Sequence, residues 1–237
     1  LIQDVTMRQE RRELQRKNER LDQFASVVSH DLRNPLHVAQ GRLELVQTSF
    51  ESEHLAPIEK AHDRMEALTD DLLTLAQAGQ TVEETDVLEL ADIASEAWDH
   101  TDLADCEFES AVPVGTKLEA DRARLLHVFE NLYRNAADHN DSLVTVRVGL
   151  LGDQEPATGG SPQSGFFIED TGSGIPDDQR DEIFEHGYTT STDGTGFGLS
   201  IVHDIVEAHG WNIRTTDGAD GGARFEITGV EIRSTDG

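Results

Sequence analysis

The chain has 237 residues, a formal net charge of −28, 36% hydrophobic residues and one cysteine, Cys106. The charge excludes a nucleic-acid-binding surface, which needs a basic patch to neutralise phosphates. The lone cysteine excludes a disulfide framework or a cysteine-cluster metal site, and no apolar run approaches the roughly 18 residues that span a membrane.

Residues 1–22 are dense in Glu, Arg and Gln, with Met7, Leu14 and Leu21 seven apart. That spacing reads as a short coiled-coil seam, expected to carry a signal along a parallel dimer. The chain begins at Leu1 rather than Met, so an upstream sensory part, with or without a membrane anchor, is expected to be missing. The stretch itself has no signal-peptide pattern and reads as cytoplasmic. Acid is spread along the whole chain and lysine occurs only at 17, 60 and 117. This pattern suits a halophile, in which salt screens charges within a few ångströms.

Residues 23–79 read as two amphipathic helices. Phe24, Val27, Val28 and Leu32 follow three-four spacing, with His30 beside that stripe and Asn34 one turn further on. Pro35 lacks the N–H that would bond the carbonyl of Asp31, so a kink is expected within a turn of His30. Helix periodicity does not separate His30 from His37. Residues 51–56 read as a turn, and Pro57 suits the first position of a second helix, which Gly79 ends. Ile58, His62, Met65, Leu72 and Ala76 make its apolar stripe, with Met65 and the leucines expected in the core. One hairpin buries too little alone, so a four-helix bundle from two chains is expected.

After a linker at 80–85, residues 86–232 alternate short strands and helices. Strands are expected at 86–90, 106–112, 143–150, 166–169, 211–214 and 223–230, and helices at 91–100, 122–139 and 199–209. Asp121 is positioned to cap the second of these helices. Residues 152–165, rich in Gly, Pro, Ser and Gln, read as a floppy loop, and 233–237 as a frayed end. Together these predict an α+β sandwich with one mixed sheet and its helices on one face.

Three runs in this half point to a nucleotide. In Glu130-Asn-Leu-Tyr-Arg-Asn135-Ala-Ala-Asp-His139, the amides of Asn131 and Asn135 share a helix face and are neutral oxygen ligands suited to Mg²⁺. In Asp170-Thr-Gly172-Ser-Gly174, a carboxylate at a strand end can accept from an exocyclic amine, and the glycines permit close backbone approach. In Gly194-Thr195-Gly196-Phe-Gly198-Leu199, alternate glycines open a helix whose first N–H groups form an anion site. Residues 185–193, polar and threonine-rich, read as a mobile lid.

In order and spacing, these motifs closely resemble the transmitter core of a sensor histidine kinase over residues 20–230. Phe24–Leu36 matches the phosphoacceptor box, Asn131–His139 the N box, Asp170–Gly174 and Gly194–Gly198 two glycine boxes, and Ile183-Phe184-Glu185 the F box. The resemblance implies a helical dimerisation and histidine-phosphotransfer hairpin, followed by a Bergerat-type ATP-binding sandwich. It implies that His30 is the phosphoacceptor, assisted by Asp31, with Asn34 completing a motif for regulator dephosphorylation. Asn135, helped by Asn131, would hold Mg²⁺, and Asp170 would read adenine. Further ATP contacts are implied at His139, Gly172, Gly174, Phe184, Gly194, Thr195, Gly196, Gly198 and Leu199. The partners implied are a second copy of the chain and a response-regulator receiver domain. Phe197 stands where leucine is usual, and His139 where the family often has lysine or an aromatic residue. Two alternatives stay open: a Bergerat-fold ATPase without a phosphoacceptor, and a non-catalytic signalling scaffold.

Overall fold

The computed structural model describes residues 32, 36–43, 45–46, 55, 58, 61–62, 64–65, 67–69, 71, 74, 82, 84–101, 103, 106–140, 143–152, 164–185, 187–189 and 195–234. Contacts divide the chain into two units, 1–79 and 80–237. The coiled-coil expectation at 1–22 and most of the 152–165 loop lie outside the described residues.

Every described residue between 32 and 74 is helical. Leu55 is helical, and Pro57, the expected start of the second helix, lies outside the described residues. His62 is 4% exposed and donates from Nε2 to the Leu36 carbonyl at 2.6 Å, which holds the two helical stretches side by side. The buried positions His62 and Thr69 are seven apart, as are the exposed Ile58 and Met65. Met65 is therefore not core within one chain, being 47% exposed. Two helices can cover only one stripe of each other, and the second stripe faces outward.

In the second unit β1 (Asp86–Glu89) leads into α1 (Leu90–His100), followed by β2 (Cys106–Ser110) and β3 (Thr116–Ala120). Then come α2 (Arg122–Asp138), β4 (Val144–Leu150), β5 (Gly165–Asp170), a 3-10 turn (Glu182–Phe184) and α3 (Gly198–Ala208). A hairpin of β6 (Asn212–Asp217) and β7 (Ala223–Thr228) precedes β8 (Arg233–Ser234). The expected single mixed sheet is in fact two: a three-stranded sheet β1-β3-β8, and a five-stranded sheet β2-β4-β5-β7-β6 in which only β2 and β4 run parallel. Residues 116–120 read as no element in the sequence, yet Thr116, Leu118 and Ala120 are buried on one face with Lys117 and Glu119 on the other. Arg233 and Ser234, expected to fray, pair with Lys117 and Thr116.

The helices cover one face of the larger sheet. Asp121 caps α2 by accepting from the Arg124 N–H at 3.1 Å. Leu125, Phe129, Leu132, Tyr133 and Ala136 then point inward at three-four spacing. Phe129 stacks on Phe166 of β5, and Tyr133 meets Trp98 and Phe108 edge-on. The Tyr133 hydroxyl donates to the Ala94 carbonyl at 3.1 Å, so its burial leaves no orphan donor. Burial pushes that phenol well above the usual tyrosine range.

The opposite face carries a ladder of charge in place of helices. Arg147 bridges Glu109 and Glu169, Arg224 bridges Glu169 and Glu226, and Arg214 closes on Glu226. The Arg224 guanidinium lies 3.6 Å over the Phe167 ring, and that ring covers Gly149, where a Cβ would come 2.6 Å from it. Every residue of β5 is thereby buried. Asp170, the last of them, is held by N–H groups of its own loop and of β7.

Candidate nucleotide site

Asp170 ends β5 and is 8% exposed. Its Oδ1 accepts from the Gly172 N–H at 2.8 Å and the Ala223 N–H at 3.2 Å, leaving Oδ2 as the oxygen for an outside donor. Burial raises its pKa, opposed by those two hydrogen bonds; Glu169 raises it a little further and His139 lowers it. The Asp170–Gly174 loop is packed, with no room for side chains. A Cβ on Gly172 would meet the Asn140 carboxamide at 2.2 Å, and Gly174 has a φ of +72° beside the Gly221 carbonyl.

Asn140 and Gly222 had no role in the sequence reading. Asn140 sits just past α2, donates to the Ala136 carbonyl and accepts from the Ser173 N–H at 2.8 Å. It ties the end of the asparagine helix to the loop after Asp170. A Cβ on Gly222 would come within 2.0 Å of the Asp170 carbonyl oxygen. Asparagine beside a helix end is a local signal that could have flagged Asn140. The glycines at 218, 221 and 222 signalled only a turn.

Asn131 and Asn135 share one face of α2, both half-buried. Asn131 donates from Nδ2 to its own helix at the His127 carbonyl, 2.9 Å away, and this turns Oδ1 outward. That oxygen lies 3.0 Å from where a Cβ on Gly198 would sit, so the asparagine face and the start of α3 meet. The Asn135 carboxamide makes no hydrogen bond among the described residues. α3 begins without a side-chain cap, so its first-turn N–H groups are free to point at an anion. Gly196, at φ +76°, packs against Gly187, whose N–H donates to the Gly196 carbonyl at 3.0 Å. This bond joins the two ends of the expected lid.

Not every expected residue joins this cluster. Thr195 and Leu199 flank the glycines, half-buried, and exposed His139 closes α2. Phe184 instead packs against His203, with ring centroids 5.7 Å apart, and lines a cavity of about 300 Å³ with Ile213 and Arg180. His203 lies about 140° around α3 from Gly198 by helix geometry, so Phe184 packs on a different side of that helix from its first turn. His30, Asp31, Asn34 and Gly194, with most of the lid, lie outside the described residues. Among those described, no group of three or more His, Cys, Asp or Glu could hold a metal ion.

Residues 120–231 match the family described as histidine kinase-, DNA gyrase B- and HSP90-like ATPase, and residues 20–81 match the His Kinase A (phospho-acceptor) domain. The chain belongs to the sensor histidine kinases, as their transmitter core. This transmitter is 31% identical over 214 residues to sensor histidine kinase ZraS of Salmonella typhimurium, covering 86% of this chain and 44% of ZraS. It is 27% identical to BaeS of Escherichia coli, covering 86% and 45%, and 30% identical to the methanogenesis regulatory histidine kinase FilI of Methanothrix harundinacea, covering 85% and 24%. The transmitter thus spans less than half the length of these relatives. Its fold resembles that of full-length ShkA in complex with AMPPNP, with a TM-score of 0.66 at 21% identity over 91% of this chain and 47% of ShkA. It also resembles Acinetobacter baumannii AdeS, at 0.56 and 23% identity over 84% and 96%. Among the described residues no helix is long and apolar enough to cross a membrane.

Proposed function

We propose that the transmitter autophosphorylates His30 with ATP and passes the phosphoryl group to an aspartate of a response-regulator receiver domain. The observation that carries this is that α2 meets two chemically different elements, with Asn140 just past its end bonding the loop after Asp170 and its Asn131 abutting the start of α3. The free Oδ2 of Asp170 suits the adenine amine, while Asn131, Asn135 and the uncapped start of α3 suit the triphosphate. A phosphoacceptor domain precedes it in the same chain.

In the reaction, neutral imidazole attacks the γ-phosphorus in line. The N–P bond forms as the bond to the β-phosphate bridging oxygen breaks, and its electron pair leaves with ADP. Asp31 takes the imidazole proton. Positioning and charge stabilisation supply most of the rate, because phosphoryl transfer needs little covalent help from protein. Mg²⁺, when bound, neutralises charge on the triphosphate, and Asn135 with Asn131 would hold it through carboxamide oxygens. First-turn N–H groups of α3 then face the phosphate oxygens.

The domain plan is a signalling helix at 1–22, a dimerisation and phosphotransfer hairpin at 23–79, a linker at 80–85 and a catalytic unit at 86–232. The exposed apolar side chains of the first unit, among them Val38, Leu45, Ile58 and Met65, support a dimer, since a second copy would cover them. The charge of −28 with three lysines supports operation in high salt. Asp31 and Asn34, three apart, support an added phosphatase role toward the regulator.

The test is phosphotransfer profiling at high salt. Protein labelled from [γ-³²P]ATP should pass label to one or a few receiver domains within seconds. ATP turnover with no acid-labile protein phosphate would point instead to a plain ATPase, and absence of ATP binding to a scaffold.

A further inference from the structure

The residue beside Asp170 is also a buried carboxylate. Glu169 is 6% exposed. Successive side chains of a strand face opposite ways, so Glu169 stands on the open face of the sheet and Asp170 on the helix-covered face. Strand register places Glu109, Arg147, Glu169 and Arg224 in one row across β2, β4, β5 and β7, with charge alternating along it. Glu169 takes an arginine on each side, Arg147 at 3.2 Å through Oε1 and Arg224 at 3.0 Å through Oε2. Oε2 also accepts from the Ala219 N–H at 3.4 Å. Paired buried charges give little net stability over packed apolar side chains. What they add is short, directional bonds that fix where their partners stand.

The two contacts of Oε2 bracket Ala223, whose N–H holds Asp170. Ala219 lies in the turn between β6 and β7, and Arg224 is the second residue of β7. Glu169 and Arg224 form the last pair of the β5–β7 ladder, and one residue beyond it the Ala223 N–H goes to Asp170 Oδ1 at 3.2 Å. The same turn packs against the loop that follows Asp170. A Cβ on Gly218 would come 3.1 Å from the Asp170 carbonyl oxygen, and one on Gly174 would come 2.9 Å from the Gly221 carbonyl oxygen. A shift of this turn therefore moves a donor to Asp170 and the support of its loop together.

We infer that Glu169 is a positioning residue for base recognition: from the open face of the sheet it holds the β6–β7 turn that orients the Asp170 carboxylate toward adenine. This rests on the reading of Asp170 as the adenine acceptor. Glu169 acts through that turn, its own carboxylate standing on the opposite face of β5.

The test is calorimetric titration of ATP and inosine triphosphate, with Mg²⁺, into the whole chain and its variants, each checked by a thermal melt. The variants are Glu169→Gln, Arg224→Lys, Asp170→Asn and the double variant Glu169→Gln with Asp170→Asn. Glu169→Gln keeps an acceptor for Ala219 and loses both ion pairs. ATP affinity should fall about fivefold, with inosine triphosphate affinity unchanged because a 6-oxo base donates nothing to the carboxylate. Arg224→Lys keeps the charge and loses the fork, so it should give a smaller loss with the same base dependence. It carries the test should Glu169→Gln melt below the assay temperature. In the Asp170→Asn background, Glu169→Gln should change ATP affinity by less than about twofold, the non-additivity of a residue that acts through another. Equal losses for the two nucleotides overturn the inference by marking a general structural role, as do losses that add in the double variant. Unchanged ATP affinity in folded Glu169→Gln overturns it as well. Unchanged ATP affinity in Asp170→Asn would instead refute the adenine reading on which the inference rests.

Discussion

Substituting Asp170→Asn separates the base-reading oxygen from the rest of the site. Asparagine keeps the Oδ1 that accepts from the Gly172 and Ala223 N–H groups, and replaces the outward Oδ2 by an NH₂. A donor then faces the adenine amine, itself a donor. A hydrogen bond to a charged group contributes about 1.5–3 kcal/mol, so ATP affinity should fall roughly 10- to 150-fold. A base with a 6-oxo group accepts where adenine donates, so inosine triphosphate should bind the variant better than it binds wild type. Folding is not expected to suffer. Burial raises the Asp170 pKa, so the folded state holds its proton more tightly than the unfolded state, and stability falls as pH rises through that value. An amide removes that cost, and the melting temperature of the nucleotide-free variant at pH 7 should match or exceed wild type. Titration of ATP and inosine triphosphate into both proteins, with a melt of each, decides the point. Unchanged ATP affinity in a variant as stable as wild type refutes Asp170 as the adenine acceptor.

Three further substitutions test the scaffold. Gly222→Ala puts a methyl against the Asp170 backbone and carboxylate and should cost about 1–3 kcal/mol by denaturant midpoint, with weaker ATP binding; a neutral effect would mean the hairpin yields freely. Tyr133→Phe removes the hydroxyl that donates to Ala94 and should cost about 1 kcal/mol with ATP affinity unchanged. His209 accepts from the Asp121 N–H at Nε2, donates from Nδ1 to the Ile205 carbonyl and stacks on Trp211. Burial lowers its pKa, aided by Arg124 and opposed by the hydrogen bond to Ile205 and by Asp121. A histidine kept neutral by folding contributes stability that is complete above its ordinary value of 6.5 and is lost as pH falls below it. The melting temperature should therefore drop more between pH 7.5 and 5.5 in wild type than in His209→Gln; equal drops would contradict the pairing.

Local chemistry made much of this legible. Asp121 as a cap, the inward stripe of α2 and the carboxylate at the end of β5 are short-range patterns, and each stands where its spacing places it. Contacts formed across long separations were not legible. Asn140 meets Ser173 across 33 residues and Ala223 reaches Asp170 across 53, and no periodicity encodes either. β3 is five residues with Lys and Glu on its outer side, too short and too polar to announce a strand until β1 and β8 flank it. Phe184 shows the converse: a motif position noticed in the sequence, whose packing against His203 of α3 no local spacing announces.

Site-localised labelling of His30 bears most directly on the central claim. Wild type, His30→Gln and His37→Gln are incubated with [γ-³²P]ATP, and acid-labile, alkali-stable protein phosphate is measured and mapped by mass spectrometry. Helix spacing alone ranks the two histidines equally, so the pair is a fair contest. Label on wild type and His37→Gln, with none on His30→Gln, is the expected result. Undiminished label on His30→Gln would contradict the assignment.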